Sequence, residues 1–242
     1  MCYPFEDDTL PQLIQADKPL MFHCNKGDCR YATVLEIDGL KMGALIGEHL
    51  CALGHRRVAF VSSTFNTKQS TRIQRLEGLR SAYSAKGFDP DQCIRVYTPD
   101  TELVESSFPA EGYELGFAIA QRIIQRDEDI TAFVTINDVI AVGIKDAILK
   151  AGKRVPEDYS ICGCDNTDLS KYETVSLTSV DAYTRQTGRE LVNIMVKKIN
   201  SDASEQNSNP EGVTRVEYYP KLVVRGSTGP VNSHRLRTKR TS

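Results

Sequence analysis

The sequence predicts an α/β fold in which a parallel β-sheet carries helices on both faces. Short apolar runs alternate along the chain with segments whose apolar residues recur with a period near 3.6, which is typical of this class. Crossovers of helical length between strands favour parallel pairing. With 242 residues, 40% of them hydrophobic, the chain can bury the core of one domain or of two subdomains.

The predicted strands are short apolar runs, rich in Val, Ile, Phe or Leu or closed by polar or Gly residues. In chain order they are Pro19–His23, Arg57–Ser62, Thr131–Ile136, Tyr159–Gly163 and Lys221–Val224.

The predicted helices each carry an apolar stripe at helical spacing. In the first of them the stripe is Ile73, Leu76, Leu79 and Tyr83, and Gly152 follows another as a C-terminal cap. The polar stretch Ser201–Glu211 is predicted to be a surface loop. The helices span Ser70–Ala85, Glu111–Arg126, Asp138–Ala151 and Tyr183–Ile199.

The composition restricts the classes of function. The formal net charge of −2 argues against a nucleic-acid footprint over the whole body. The apolar runs are far shorter than the roughly 20 residues of a membrane span, and no signal peptide is recognisable, so a cytoplasmic location is expected. No phosphate loop, dinucleotide-binding fingerprint, zinc-protease motif or nucleophile elbow is present, which argues against an enzyme and a cofactor. His55, after Gly54 at a helix end, fits carbonyl capping better than acid–base work.

The seven cysteines are an odd number and form no disulfide framework, so reduced thiols are expected. His23, Cys24 and Cys29, and the pair Cys162 and Cys164, leave a metal site as an alternative. Neither group has the doubled C-x2-C spacing of a tetrahedral zinc site, so buried thiols are favoured over metal.

Polar residues follow the carboxyl ends of two predicted strands. Asn137 and Asp138 follow the strand that ends at Ile136, and Asp165 follows the strand that ends near Gly163. In open α/β sheets ligands bind outside these strand ends. Asn137 and Asp138 equally suit helix N-capping, and Asp165 equally suits a turn.

Arg75, on the helix after the strand Arg57–Ser62, is the cationic candidate for the same site. An arginine, an amide and a carboxylate together suit a neutral polyol. The guanidinium donates to two oxygens, the amide donates and accepts, and the carboxylate accepts from hydroxyls.

Several segments, in one consistent order, resemble the LacI/GalR family of transcription regulators. Leu53–Val61 is similar to L-G-H-R-R-I-A-F-I, and Arg75–Gly78 to R-x-x-G. Asn137 to Gly143 resembles N-D-x-x-A-x-G. The most diagnostic stretch, V-P-E-D-x-S-I-x-G-x-D, resembles Val155 to Asp165. Leu177–Val180, with Gly188 downstream, and Pro220–Thr228 resemble the family's L-T-T-V and its closing strand.

The resemblance implies a periplasmic-binding-protein-like type I fold of two doubly wound parallel-sheet subdomains, the first truncated. It implies a homodimer and a small-molecule effector, such as a sugar or nucleoside, in the cleft between subdomains. Effector contacts are implied for Arg75, Asn137 and Asp165. Phe108 falls near the family's aromatic stacking position, where core packing is the alternative role.

The chain departs from the family pattern in two places. Cys24 stands where the family has a cleft aspartate, so this position lacks the usual strong acceptor. Met1–Pro11 resembles the end of the leading β-α-β-α stretch that follows the family's helix-turn-helix head. We therefore expect a fragment of a longer product that reaches operator DNA only through a DNA-binding domain absent from this chain.

The expected organisation is a partial N-subdomain, a C-subdomain and a disordered basic tail. The tail fits a solvated terminus, with a nonspecific phosphate contact as the alternative. These parts are residues 1–37 with 181–217, residues 38–180 with 218–228, and residues 229–242.

Three functions are compatible with this fold. The favoured one is the sensor of a transcription regulator, in which effector binding changes subdomain closure. The others are a sugar-binding protein of a transport system and, less favoured, an enzyme on the same fold class.

Overall fold

A computed structural model describes residues 20–23, 32–65, 71–102, 111–200 and 215–232. The chain divides into two compact units, which we number in chain order. Unit 1 contains Met1–Asp38 and Tyr183–Tyr219, and unit 2 contains Gly39–Ala182 and Pro220–Ser242.

The described strands are short. They are β1 (Leu20–His23), β2 (Ala32–Ile37), β3 (Val58–Val61), β4 (Ile94–Tyr97), β5 (Ala132–Thr135), β6 (Ser160–Cys164), β7 (Thr178–Asp181), β8 (Arg215–Tyr218) and β9 (Lys221–Val223).

The described helices include two that are only one turn long. They are α1 (Gly39–Ala52), α2 (Thr71–Ala85), α3 (Pro90–Cys93), α4 (Pro99–Glu102), α5 (Gly112–Gln125), α6 (Asp138–Lys150) and α7 (Thr184–Asn200), with a 3₁₀ turn at Asp168–Lys171.

In unit 1 the described strands form a three-stranded parallel sheet in the order β1-β2-β8. The ring of Tyr183 lies 6.3 Å from that of Tyr218 between centroids, which joins the start of this unit's second segment to β8. In unit 2 six strands form one sheet in the order β4-β3-β5-β6-β7-β9. Its pairs are parallel from β4 to β7, which confirms the predicted α/β class.

β9 departs from the predicted parallel arrangement because it pairs antiparallel with β7. The segment that contains it, Pro220–Asn232, returns along unit 2. Ser227 Oγ donates to the Ile161 carbonyl at 2.6 Å, and the Val231 amide donates to the Leu53 carbonyl at 2.9 Å. Residues 229–232 are therefore bound to unit 2 and are not part of a disordered tail. Residues 233–242 and the predicted loop Ser201–Glu211 lie outside the described residues.

The core of unit 2 lies along its central strands. Every residue of β3 and β5 is buried, because both strands are covered on both faces. This burial explains why their sequences read as continuous apolar runs rather than as alternating patterns.

Two pairs of helices approach so closely that only glycine fits at their crossings. A Cβ on Gly78 of α2 would lie 1.9 Å from the Leu40 carbonyl oxygen of α1, and a Cβ on Gly43 would lie 1.9 Å from that of Arg75. Between α5 and α6, a Cβ on Gly143 would lie 2.0 Å from the Tyr113 carbonyl oxygen. The glycines of the R-x-x-G and N-D-x-x-A-x-G segments therefore serve helix packing.

His55 lies buried between several segments of unit 2 and does not cap the end of α1. Its Nδ1 lies 2.9 Å from Thr131 Oγ1, and its Nε2 lies 2.9 Å from Ser160 Oγ and 3.1 Å from the Gly229 carbonyl oxygen. Burial lowers the pKa of His55 to about 4 from its ordinary 6.5. The neutral ring is therefore a structural junction.

We expect acid to destabilise unit 2 through His55. Between pH 6.5 and about 4 the unfolded chain protonates this ring while the folded chain keeps it neutral. The unfolded state then binds more protons, so the free energy of unfolding falls by up to about 3 kcal/mol as the pH drops through this window. Urea unfolding of wild type and His55→Gln at several pH values tests this. If the free energies of unfolding of the two proteins change equally with pH between 7 and 4, the lowered pKa of His55 is contradicted.

Among the helices that the structure describes, none combines the length and hydropathy that a membrane crossing needs.

Candidate functional site

The candidate site lies where β5 and β6 end. These strands pair in parallel, with Val134 aligned to Cys162, so their carboxyl ends meet at one edge of the sheet. Asn137 emerges just beyond β5 and Asp165 just beyond β6. Parallel pairing therefore brings two of the sequence-predicted residues to neighbouring positions.

Arg75 reaches this edge from α2. One terminal nitrogen, Nη1, donates a hydrogen bond to the Ile136 carbonyl, and the other, Nη2, lies 3.9 Å from Asp165 Oδ1. Within the described residues the buried Nε of Arg75 has no hydrogen-bond partner. The first contact fixes the guanidinium at the end of β5. Because 3.9 Å is longer than a charge-assisted hydrogen bond, both Nη2 and the carboxylate keep capacity for a ligand oxygen.

Asp165 has an unusual backbone and a perturbed carboxyl group. Its φ of 98° lies in the region that favours glycine, and Asn166 follows with a φ of 46°. Burial raises the pKa of the Asp165 carboxyl, and the positive charge of Arg75 opposes that rise. Such strain persists only where surrounding contacts enforce it, and it concentrates at binding sites.

Asn137 performs the capping role that its sequence position also predicted. Its Oδ1 accepts a hydrogen bond from the Ile140 amide at 2.9 Å, at the N-terminus of α6. This bond does not use the Nδ2 group, so the side chain can cap α6 and still donate to a ligand.

Asp138 belongs to the same edge but is fully buried. Its Oδ2 accepts from the Thr167 amide at 2.7 Å and from Thr167 Oγ1 at 2.9 Å, and its Oδ1 accepts from Ser179 Oγ at 2.6 Å. A Cβ on Gly163 would lie 2.4 Å from Oδ1, so this glycine makes room for the carboxylate. Burial raises the pKa of the Asp138 carboxyl, and these hydrogen bonds oppose the rise. Asp138 therefore organises the turn after β6 rather than facing a ligand.

Sequence reasoning missed this buried network. The pattern offered N-capping as the alternative for Asp138, whereas its carboxylate serves a turn 29 residues away along the chain. The only signal in the sequence was Gly163. A glycine indicates that some group packs closely against the strand, but it does not identify that group as the Asp138 carboxylate.

Two predicted site residues cannot be placed, since Cys24 and Phe108 lie outside the described residues. Cys29 of the alternative metal group lies there too. Within the described ranges no cluster of His, Cys, Asp or Glu could hold a metal ion. Cys162 and Cys164 are both buried in β6, and burial raises the pKa of the Cys164 thiol to about 12.

In open α/β proteins, the carboxyl edge of a parallel sheet, where Arg75 and Asp165 lie here, is the usual place for a small ligand to bind. The chain belongs to the periplasmic binding protein-like domain family, which matches residues 48–228.

The resemblance to LacI/GalR regulators is confirmed by individual relatives. The HTH-type transcriptional repressor PurR of Haemophilus influenzae (strain PittEE) is 26% identical over 227 residues, which are 94% of this chain and 62% of the repressor. The transcriptional regulator CelR of Thermobifida fusca is 25% identical over 202 residues, which are 82% of this chain and 56% of that regulator. The chain thus spans about three fifths of the length of these curated relatives. Both relatives are named as transcription regulators.

A solved structure shares the fold. A LacI family transcriptional regulator from Enterococcus faecium, crystallised with bound ribose, superposes with a TM-score of 0.77 at 23% identity. The match covers 94% of this chain and 77% of that one.

Proposed function

We propose that this chain is the effector-sensing part of a LacI/GalR-type transcription regulator, and that its effector is a sugar or a related polyol. The observation that carries the proposal is the Arg75–Asp165 pair, with Nη2 and Oδ1 held 3.9 Å apart at the carboxyl edge of the sheet. A donor and an acceptor at this spacing suit the hydroxyl groups of a sugar.

The comparisons support the same reading. The relatives are named regulators, which favours a regulator over the sugar-binding protein of a transport system. The related Enterococcus faecium regulator holds ribose, which supports a sugar as the effector class.

The remaining parts of the proposal follow from the class of LacI/GalR-type transcription regulators. The protein acts in the cytoplasm as a homodimer and works by binding rather than by catalysis. Operator DNA is contacted through a separate DNA-binding region, and effector occupancy shifts the population of a DNA-binding state.

A ligand screen with one variant tests the proposal. Pentoses, hexoses, disaccharides and nucleosides are titrated into the purified protein by calorimetry, and the binders are repeated with Arg75→Ala. We expect affinity to fall between about 10-fold and 100-fold, because Arg75→Ala removes charged donors whose hydrogen bonds to ligand oxygens are worth about 1.5–3 kcal/mol. Arg80→Ala is the matched control: Arg80 lies on the same helix and pairs with Asp91 at the surface. Equal affinity of Arg75→Ala and wild type would remove Arg75 from the site.

A further inference from the structure

The turn that carries Asp165 is held by contacts from outside it. Asp165 and Asn166 both have positive φ, a conformation that non-glycine residues adopt only when their surroundings enforce it. The backbone amide of Asn166 donates to Ser179 Oγ at 3.0 Å, and that of Thr167 donates to Asp138 Oδ2 at 2.7 Å. These bonds fix the backbone of the turn but not the side chain of Asn166.

Arg225 fixes that side chain. Its Nη2 donates to Asn166 Oδ1 at 2.6 Å, while its Nη1 donates to the Leu177 carbonyl at 2.6 Å and lies 3.3 Å from Ser170 Oγ. Ser170 and Leu177 are buried. One guanidinium therefore joins the segment after β9, the turn after β6 and the approach to β7.

The amide of Asn166 is held at both of its ends. While Oδ1 accepts from Arg225, Nδ2 donates to Asp181 Oδ2 at 3.0 Å. Asp181 is the last residue of β7 and lies one residue before the end of this segment of unit 2 at Ala182. Hydrogen bonds arranged in series polarise and strengthen one another, so the pair of contacts orients Asn166 better than either alone.

We propose that Arg225 is a positioning residue for the ligand-binding carboxylate of Asp165. The Arg225 guanidinium contacts uncharged oxygens of Asn166, Leu177 and Ser170. Its role here therefore depends on the fixed planar arrangement of its donors rather than on neutralising a carboxylate. Asn166 is adjacent to Asp165, and fixing its side chain restrains the left-handed pair of residues. The ligand part of this proposal rests on the proposed function, whereas the positioning of the turn does not.

A ligand-free measurement tests the positioning. Amide hydrogen exchange of residues 165–167 is compared in wild type, Arg225→Gln and Arg225→Lys. We expect exchange at these amides to be at least about tenfold faster in Arg225→Gln. Arg225→Lys keeps the positive charge but replaces the planar guanidinium with a single donor nitrogen, so it should give an intermediate rate. Amides of β5 should keep their wild-type rates, which separates a local effect from general unfolding.

Lys171→Gln is the matched control for that measurement. Lys171 lies in the neighbouring 3₁₀ turn and pairs with Asp168 at 2.8 Å, with both side chains at least half exposed. Removing this cation should leave exchange at residues 165–167 unchanged. Wild-type rates in Arg225→Gln, or equal acceleration in Lys171→Gln, would overturn the proposal.

A double-mutant cycle tests the link to the ligand, with ribose as the probe. Arg225→Gln should weaken ribose binding about tenfold in the wild-type background but not in the Asp165→Asn background, because it acts through that carboxylate. Additive losses would overturn the link to Asp165. Absence of ribose binding by the wild type would count against the proposed effector class, and the exchange rates then decide on Arg225 alone.

Discussion

Gly78→Ala should lower the free energy of unfolding by about 3 kcal/mol, the upper end of the usual cost of overpacking. The added Cβ would lie 1.9 Å from the Leu40 carbonyl oxygen, 2.8 Å from its carbonyl carbon and 2.9 Å from the Ala44 nitrogen. All three atoms are backbone, so no side-chain rotation relieves the overlap, and α1 and α2 must separate along their length. Overpacking of this kind outweighs the gain of up to about 1 kcal/mol that alanine brings to a helix.

Gly188→Ala is the matched control for that prediction. Gly188 also lies inside a helix, α7, but a Cβ there meets no atom of the described residues within 4 Å. Alanine should therefore stabilise this helix by up to about 1 kcal/mol through its propensity alone. Urea unfolding measures both variants. A Gly78→Ala protein as stable as the wild type would show that α1 and α2 do not cross as closely as described.

Asp138→Ala should cost about 4 kcal/mol of stability. The substitution leaves the Thr167 amide, Thr167 Oγ1 and Ser179 Oγ without their acceptor, and each buried donor that loses its partner costs about 1–3 kcal/mol. It also leaves a void beside Gly163, where the carboxylate now fits. Release of a buried charge offsets part of this loss.

Asp146→Ala supplies the comparison for Asp138. Asp146 lies on the same helix, is exposed, and accepts one hydrogen bond from Tyr113 Oη at 2.9 Å. Its removal should change the free energy of unfolding by no more than about 0.5 kcal/mol. Similar losses for the two variants would argue that the Asp138 network does not stabilise the fold.

The sequence predicted the elements whose signal is local. The buried runs Val58–Val61 and Ala132–Thr135 are continuously apolar, and α5 carries an apolar stripe, so their patterns match their structure. Among the described elements, four strands, α1 and the one-turn helices α3 and α4 were missed. β4 carries Arg95, and α1 includes three glycines, residues that weaken the usual signals yet serve packing here. The same local patterns gave no means of locating β2, β7 or β8.

The candidate site was predicted only in part, because some of its residues carry a local signal and others do not. Arg75 and Asp165 were found because strand ends and a family resemblance point to them, and the structure brings their charged groups within 3.9 Å. Arg225 was missed because its partners lie 48 and 59 residues away along the chain, and nothing near it in sequence indicates them. Long-range partners of this kind emerge only once the strands have assembled.

The returning segment Pro220–Asn232 also has a consequence for synthesis on the ribosome. A nascent chain that has exposed only residues up to about 200 already holds β3 through β7 of unit 2, but β7 has no outer neighbour and His55 lacks its Gly229 contact. The ring of His55 and the carbonyl of Ile161 must therefore wait for partners translated more than 60 residues later. Unit 2 is thus expected to reach its native packing late in translation, with the edge of β7 open to misassembly until then.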